Sequence, residues 1–292
     1  MMQDITCPDW LAFVEFISTQ HTVSRGIKHG VLWRGHASAD WLLESSVERI
    51  ARSEYIADNK EPTEWRGEVP EFRVKDLLAV GLSSFSSTLD MHAEYGDRSF
   101  TPEQKLALCQ HSGMRTIALD WTESPYVAAF FACADLVQAK SRAEPGSFAI
   151  WGLHAHRFAS NSCRGDGSIP DTKFKFRVLD SASTANRRMF AQNGRLTSVW
   201  PPIHLEALAN HRWLGAPDVA AALQKIIIPS SQAEDFLGQL NRMNINYRTL
   251  FPDLQGASLH ANISMRNSNY EGLGWHPDAD ELISAISGKP AE

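Results

Sequence analysis

Residues 106–136 read LALCQHSGMRTIALDWTESPYVAAFFACADL, and the order of elements in this stretch decides the fold. The run Arg115–Leu119 predicts a buried strand, and Ser124-Pro125 predicts the start of an apolar helix over 125–139. A strand that leads directly into a helix leaves free backbone N–H groups and the positive end of the helix dipole at the joint. Such a joint suits the phosphate or carboxylate of a ligand.

The joint carries more polar side chains than a buried core requires. One reading is structural: Ser124 caps the helix, and Asp120 accepts hydrogen bonds from nearby backbone N–H groups. The other reading is a functional site assembled around the joint. The side chains concerned are Gln110, His111, Asp120, Trp121, Thr122 and Ser124. The local chemistry leaves both readings open.

A second candidate is Arg34, in the stretch GVLWRGHA at residues 30–37. Val31–Trp33 predicts a short buried strand that ends at Arg34-Gly35. An arginine directly after a buried strand needs an acceptor, which is either an internal carboxylate or a bound anion. The planar guanidinium fits phosphate oxygens through two parallel hydrogen bonds.

The third candidate is the stretch NRRMFAQNGRLTSVW at residues 186–200. Asn193-Gly194 predicts a tight turn ahead of a strand over Leu196–Trp200. In the alternative reading, Gln192 and one of the arginines face a pocket.

Farther out, helices and strands are mixed along the chain without a regular βαβ rhythm. This order predicts an α+β fold with a mixed or antiparallel central sheet flanked by helices. No break in composition marks a domain boundary, so we expect a single domain over 30–265, with an N-terminal helix in 1–29 packed on it and a polar tail over 266–292. The other predicted elements are helices at 8–20, 45–57, 71–89, from Thr101-Pro102 to Gly113, and at 231–242, strands at 146–153 and 225–228, and a turn at 251–256.

Composition narrows the function classes. The 292 residues are 43% hydrophobic and carry a net charge of −6, which predicts a globular protein that contacts nucleic acid only locally. Four widely spaced cysteines and the lack of a signal peptide or an apolar membrane span predict a cytoplasmic protein without a membrane partner. The sequence has no P-loop, GxGxxG, HExxH, GxSxG or CxxC motif, and we expect no metal.

Taken together, these segments resemble the FRG domain family over about residues 30–260. The motif for which the family is named appears as Trp33-Arg34-Gly35, and a longer family block resembles residues 107–132. The other matching positions are Trp41, Leu43, Ser46 and Arg49, then Asn186, Arg188, Gln192, Gly194 and Thr197, and finally the segments 225–229 and 250–256.

The resemblance implies an ADP-ribosyltransferase-like fold that uses NAD+ as a substrate. It implies catalytic roles for Arg34, Asp120 and Gln192, with Asp120 as the carboxylate that assists transfer. Trp121 would stack on the nicotinamide. The NAD+-binding residues implied are Arg34, Gly35, His111, Trp121, Thr122, Ser124 and Arg188. Other carboxylates that remain open for the assisting role are Glu123, Asp253 and Glu206.

FRG-domain proteins resemble components of toxin–antitoxin and phage-defence systems. This implies a toxin that modifies RNA or, as a close second, protein, and an antitoxin partner that acts alone or with a chaperone. The basic side chains available for RNA are Arg115, Arg187, Arg188 and Arg195. Two alternatives use the same pocket: a non-catalytic module that binds a nucleotide or a partner protein, and an NAD+ glycohydrolase.

Overall fold

The computed structural model of the chain describes residues 3–23, 30–59, 70–89, 91, 99–138, 146–155, 174–179, 187–210, 223–265 and 278–287. The predicted contribution of Asn186 lies outside these ranges. Within them, none of the helices combines the length and the apolar character that crossing a membrane requires.

Seven strands and eleven helices make up the described part of the chain. The strands are β1 (Gln3–Thr6), β2 (Val31–His36), β3 (Leu119–Thr122), β4 (Ser147–His154), β5 (Lys175–Leu179), β6 (Gly194–Trp200) and β7 (Leu223–Pro229). The helices are α1 (Trp10–Val23), α2 (Ser46–Asn59), α3 (Glu71–Leu89), α4 (Pro102–His111), α5 (Pro125–Gln138), α6 (Arg187–Ala191), α7 (Leu205–Asn210), α8 (Ala233–Arg242), α9 (Tyr247–Leu250), α10 (Leu254–Ser264) and α11 (Asp278–Ser287).

All seven strands form one mixed sheet in the order β1-β7-β4-β2-β3-β6-β5. The pair β1–β7 is parallel, and every other neighbouring pair is antiparallel. The predicted α+β class with a mixed sheet is therefore confirmed. The β2–β4–β7 ladder, with six and seven register pairs, forms the centre of the sheet, and β3 and β6 continue it on the other side of β2.

Side chains of the central strands alternate between two core clusters, one on each face of the sheet. Trp33 of β2 belongs to the first cluster, whereas its neighbour Leu32 belongs to the second. The first core cluster also contains fully buried residues of α1, α5 and α8, among them Phe13, Phe130 and Phe236. The second contains residues of β3, β4, β5 and α7, among them Trp121, Trp151, Phe176 and Leu208.

Local capping chemistry is where the sequence predictions agree best with the structure. Thr101 caps α4: its Oγ1 accepts a hydrogen bond from the Gln104 N–H at 3.2 Å, and Gln104 Oε1 accepts one from the Thr101 N–H at 3.0 Å. Gly113 follows the end of this helix at a φ of +89°, a conformation that glycine adopts readily.

The predicted strand Arg115–Leu119 is wrong in its position, because the strand is Leu119–Thr122. Thr116 instead contacts the start of α2. Its carbonyl accepts a hydrogen bond from the Val47 N–H at 3.3 Å, and its N–H donates to Ser46 Oγ at 3.2 Å. Strand pairing begins only where β6 runs alongside, and that partner lies about 75 residues away in the sequence.

Four other features differ from the predictions. The segment 251–256 is not only a turn, because Asp253 Oδ1 accepts a hydrogen bond from the Gly256 N–H at 3.0 Å and caps α10. The tail contains a helix, α11. The edge strands β1 and β5 were not predicted from the sequence, since short edge strands gain their structure from a distant partner.

Glu48 forms a capping box at the start of α2. Its carboxylate accepts a hydrogen bond from the Ser45 N–H, and Ser45 Oγ accepts one from the Glu48 N–H at 3.3 Å. Burial raises the pKa of Glu48 to about 7, although the hydrogen bonds from Ser45 act in the opposite direction. Between about pH 4.5 and pH 7 the folded protein therefore holds a proton that the unfolded chain has released.

We expect Glu48→Gln to increase the free energy of unfolding at about pH 8. The wild type loses stability as the pH rises through this window, because ionised Glu48 is favoured in the unfolded chain. Glutamine keeps the acceptor oxygen and has no proton to lose. The gain is up to about 3 kcal/mol at about 1.36 kcal/mol per pKa unit, and it disappears toward low pH.

Urea unfolding of the wild type and of Glu48→Gln at about pH 5 and pH 8 measures this difference. Glu54→Gln on the same helix is the matched control, since Glu54 is half-exposed and its ion pair with Arg73 is a weak surface contact. Equal stability of wild type and Glu48→Gln at pH 8 contradicts the prediction.

Candidate functional site

The sheet splits between β2 and β3. These two strands share one register pair, Trp33 with Thr122, and then diverge. Continued pairing would place Gly35 opposite Asp120, but no further β2–β3 pair forms among the described residues. The other edge of β3 stays paired with β6 throughout the length of β3. The divergence frees the backbone carbonyl of Asp120 and leaves an opening at this point of the sheet.

Arg34 spans the split. Its Nη1 donates a hydrogen bond to the backbone carbonyl of Asp120 at 2.7 Å, and its Nε donates to Nε2 of His36 at 3.0 Å. Burial lowers the pKa of His36 to about 3, with Arg34 as the second cause, so the imidazole is neutral and can accept this bond. Nη2 of Arg34 has no hydrogen-bond partner among the described residues. The guanidinium is thus held in place with donors to spare.

The carboxylate of Asp120 lies beside Arg34 and is itself held from α4. Oδ2 accepts a hydrogen bond from Nε2 of Gln110 at 2.8 Å and lies 3.9 Å from Nη1 of Arg34. Gln110 in turn accepts a hydrogen bond from the Thr116 hydroxyl. The Asp120 side chain remains 61% exposed, so its pairing with Arg34 is a weak surface contact.

Thr122 and Ser124 close the joint between β3 and α5. The Thr122 hydroxyl donates to the Gln192 carbonyl at 2.7 Å and accepts from the Ser124 N–H at 3.1 Å. Ser124 Oγ accepts from the Val127 N–H at 3.3 Å and caps α5. The structural reading therefore accounts for these two hydroxyl groups.

Above the split lies a cavity of about 350 Å³, within the range of small-molecule sites. It is lined by β2, β3, α4, α5, α6, β6 and the segment around Phe251. Of the catalytic and NAD+-binding residues that the resemblance implies, Arg34, Gly35, His111, Asp120, Trp121, Thr122, Arg188 and Gln192 line it, and Ser124 does not. Gln110 and Arg195, also singled out in the sequence, line it as well. Segments from three separate parts of the chain thus meet at one place.

Arg188 forms one wall of the cavity and is held by the N-terminal end of α10. Its Nε donates to Oδ2 of Asp253 at 2.6 Å, and its Nη2 donates to Oε1 of Gln255 at 2.7 Å. Its guanidinium carbon lies 5.2 Å from the centre of the Phe251 ring. This contact with Arg188 is the main cause that lowers the pKa of Asp253.

Gln192 connects α6 to the opposite wall. Its Nε2 donates to the backbone carbonyl of Leu250 at 3.1 Å. The next residue, Asn193, has a φ of +47°, as the predicted tight turn before β6 requires. Gln192 therefore positions the loop, and its side chain borders the cavity.

Trp121 and Gly35 border the cavity in ways that the sequence did not predict. The indole of Trp121 is 4% exposed, packs in the second core cluster and donates from Nε1 to the Thr197 hydroxyl at 2.8 Å. Its ring is therefore mostly covered by the second core cluster, and whether it contacts a ligand stays a prediction. Gly35 allows β2 to lie directly against the backbone of α5.

His111, at the end of α4, adds a neutral group to the cavity. Burial lowers its pKa, and the nearby charge of Arg188 acts in the same direction. No group of three or more side chains suited to a metal ion occurs in the part of the chain that the structure describes.

Asp135 is a cavity residue that the sequence analysis missed. It lies on α5 in register with Ala128 and Phe131, at spacings of three and four residues, and all three line the cavity. Burial by the surrounding protein raises its pKa to about 6, and Arg34 acts against this rise. Asp135 is the only acidic residue in the run Pro125–Gln138, and this isolated charge was the available clue.

The remaining candidate carboxylates have other partners. Glu123 pairs with Arg195 at 2.8 Å. Glu206 does not line the cavity; it accepts a hydrogen bond from the Leu43 N–H at 2.8 Å and lies 3.2 Å from Nδ1 of His204.

Residues 29–141 match the family model of the FRG domain. The match supports the FRG family. This FRG segment supplies Arg34, Asp120 and Asp135, whereas Arg188 and Gln192 lie beyond its end. No curated protein and no solved structure matches the chain.

Proposed function

We propose that the cavity binds NAD+ as a substrate and that the protein transfers ADP-ribose from NAD+ to a macromolecule. RNA is the favoured acceptor over protein, and the activity belongs to a toxin–antitoxin or phage-defence system. The starting point is the resemblance of the FRG segment to ADP-ribosyltransferases. In this view the split sheet is the centre of an ADP-ribosyltransferase-like fold, and an antitoxin, alone or with a chaperone, neutralises the activity.

The observation that carries the proposal is the arrangement of Arg34. His36 and the Asp120 carbonyl fix its guanidinium, while Nη2 has no partner within the described ranges. A fixed guanidinium with unused donors suits the pyrophosphate oxygens of a dinucleotide. Because the residue lines the cavity, an anion bound there can use these donors.

The chemistry of transfer fits the other side chains of the cavity. Breaking the bond between nicotinamide and ribose creates positive charge on the sugar, which a nearby carboxylate stabilises. Asp120 and Asp135 both line the cavity. Its volume of about 350 Å³ suits the nicotinamide–ribose half of NAD+, and we expect the adenosine half to extend outward.

The rim formed by α6 favours RNA over protein as the acceptor. Phe190 is 87% exposed, and its neighbour Arg187 is exposed as well. The other side of this short helix, with Arg188 and Met189, lines the cavity. Exposed aromatic rings next to arginines stack and bind single-stranded bases, and this local contact is compatible with the net charge of −6.

The test is incubation of the purified protein, free of antitoxin, with NAD+ labelled in the adenylate phosphate. Total RNA, DNA and cell protein are offered separately, and released nicotinamide is measured in parallel. We expect label on RNA and its loss in Arg34→Ala. Arg73→Ala is the matched control, since Arg73 pairs with Glu54 and does not line the cavity.

Each other outcome identifies a different function. If the label is found on protein and not on RNA, the acceptor is a protein. Nicotinamide release without any labelled macromolecule indicates a glycohydrolase that uses water. If the folded protein produces neither a labelled macromolecule nor free nicotinamide, the protein is a non-catalytic binding module.

A further inference from the structure

The carboxylates around the cavity differ in whether they already have a hydrogen-bond or ion-pair partner. Asp253 holds Arg188, and Glu123 holds Arg195. Asp120 accepts a hydrogen bond from Gln110 and is 61% exposed to water. A carboxylate that is hydrogen-bonded and well solvated gains little from approaching a developing positive charge.

Asp135 is exposed on the cavity side, as Asp120 is, but it is not committed to a partner among the described residues. Within the described ranges it has no hydrogen bond and no ion pair, and its side chain faces the open cavity. Its neighbours on α5 are apolar: Phe131 precedes it by one turn, and Ala134 and Leu136 are buried on either side. These apolar neighbours disfavour the ionised carboxylate, and no contact within the described ranges gives Asp135 a structural role.

We propose that Asp135, and not Asp120, is the carboxylate that faces the reacting carbon when NAD+ occupies the cavity; this role rests on the proposed transferase activity. Arg34 and Asp135 then divide the substrate between them. Arg34 binds the anionic pyrophosphate, and Asp135 opposes the cationic ribose.

The bond between C1′ of the ribose and the nicotinamide nitrogen breaks, and its electron pair leaves with the neutral nicotinamide. The positive charge on the ribosyl group is stabilised by the Asp135 carboxylate. A lone pair of the acceptor's hydroxyl or amino group then forms the new bond to C1′, and the acceptor's proton passes to Asp135 and on to water.

This role predicts a characteristic dependence on pH. Asp135 must be ionised, and burial raises its pKa to about 6, so turnover should fall as the pH decreases through this value. The charged or titratable groups around it are Arg34 on β2, Tyr247 on α9, Asp120 on β3, His111 on α4 and Arg188 on α6. Arg34 opposes the rise in the pKa of Asp135, while Asp135 contributes to the raised pKa of Tyr247.

The experiment measures nicotinamide release and NAD+ binding for the wild type, Asp135→Asn, Asp135→Glu and Asp120→Asn. We expect Asp135→Asn to reduce kcat roughly 10²–10⁴-fold, whereas its Kd for NAD+ changes less than about threefold. Asp135→Glu recovers part of the rate. Asp120→Asn loses less than about tenfold, since its carbonyl still anchors Arg34.

Asp76→Asn, an exposed aspartate on α3, is the control for substitution of a helical carboxylate. Thermal unfolding tests whether Asp135→Asn folds, and we expect it to be as stable as the wild type because the exposed Asp135 makes no hydrogen bond or ion pair within the described ranges. The residual rate of Asp135→Asn should also lose the dependence on pH near 6.

Two results overturn the inference, and they are distinguishable. If Asp135→Asn releases nicotinamide within about threefold of the wild-type rate, Asp135 takes no part in the reaction, and the proposed transferase activity still stands. A wild type that releases no nicotinamide with any acceptor overturns both the transferase and the role of Asp135.

Discussion

Gly35→Ala is expected to lower the free energy of unfolding more than the other substitutions proposed above. A Cβ atom at residue 35 would lie 2.0 Å from the carbonyl oxygen of Ala128 and 2.8 Å from the backbone nitrogen of Ala132. Both are backbone atoms of α5, so no side chain can rotate away, and α5 must shift from β2. Overpacking of this kind costs about 3 kcal/mol or more, out of a total stability of about 5–15 kcal/mol.

Urea unfolding of Gly35→Ala and the wild type measures the effect. Gly30→Ala is the matched control. A Cβ there has no atom within 4 Å, so we expect a change within about 0.5 kcal/mol. Stability of Gly35→Ala within about 1 kcal/mol of the wild type would mean that α5 is free to move away from β2.

Arg34→Lys is expected to weaken the binding of NAD+ about 10- to 150-fold. Lysine keeps the positive charge but has one ammonium group in place of the planar fork. It cannot hold His36 and the Asp120 carbonyl while also donating to a ligand. The loss corresponds to one charged hydrogen bond, about 1.5–3 kcal/mol. Calorimetric titration with NAD+ and with ADP-ribose measures it.

Arg73→Lys serves as the control for this substitution. Arg73 uses its Nε to bind Glu54 at 2.7 Å, between α3 and α2, and it is half-exposed. We expect NAD+ binding by this variant to equal that of the wild type. If Arg34→Lys also binds NAD+ as the wild type does, Arg34 only connects β2 and β3, and the proposed site is wrong.

Predictions that rest on neighbouring residues agree with the structure more closely than those that rest on distant pairing. The helix predicted over 71–89 is α3 at both ends, and the capping box at Thr101 is present as expected. By contrast, the strand predicted over Arg115–Leu119 begins only at its last residue. Capping depends on four adjacent residues, whereas β3 depends on β6, far along the chain.

The candidate site divides in the same way. Arg34 and Asp120 were selectable because polar residues at the ends of apolar strands are unusual, and both line the cavity. Asp135 was not predicted as a site residue. A single charged residue in an apolar helix does not show whether its side chain faces solvent or a cavity until the neighbouring elements are placed. Trp121 was assigned a stacking role, but the alternation of β3 turns its ring into the second core cluster.

The sequence by itself determined the fold class and the approximate boundaries of α1 to α5 and α8, because apolar periodicity and capping act over a few residues. Only the tertiary structure decided which of the polar groups there are free. The divergence of β2 from β3 exposes the Asp120 carbonyl to Arg34, and the packing of α10 commits Asp253 to Arg188. These contacts leave Asp135 facing the cavity without a partner in the described chain, since each depends on chain segments that only folding brings together.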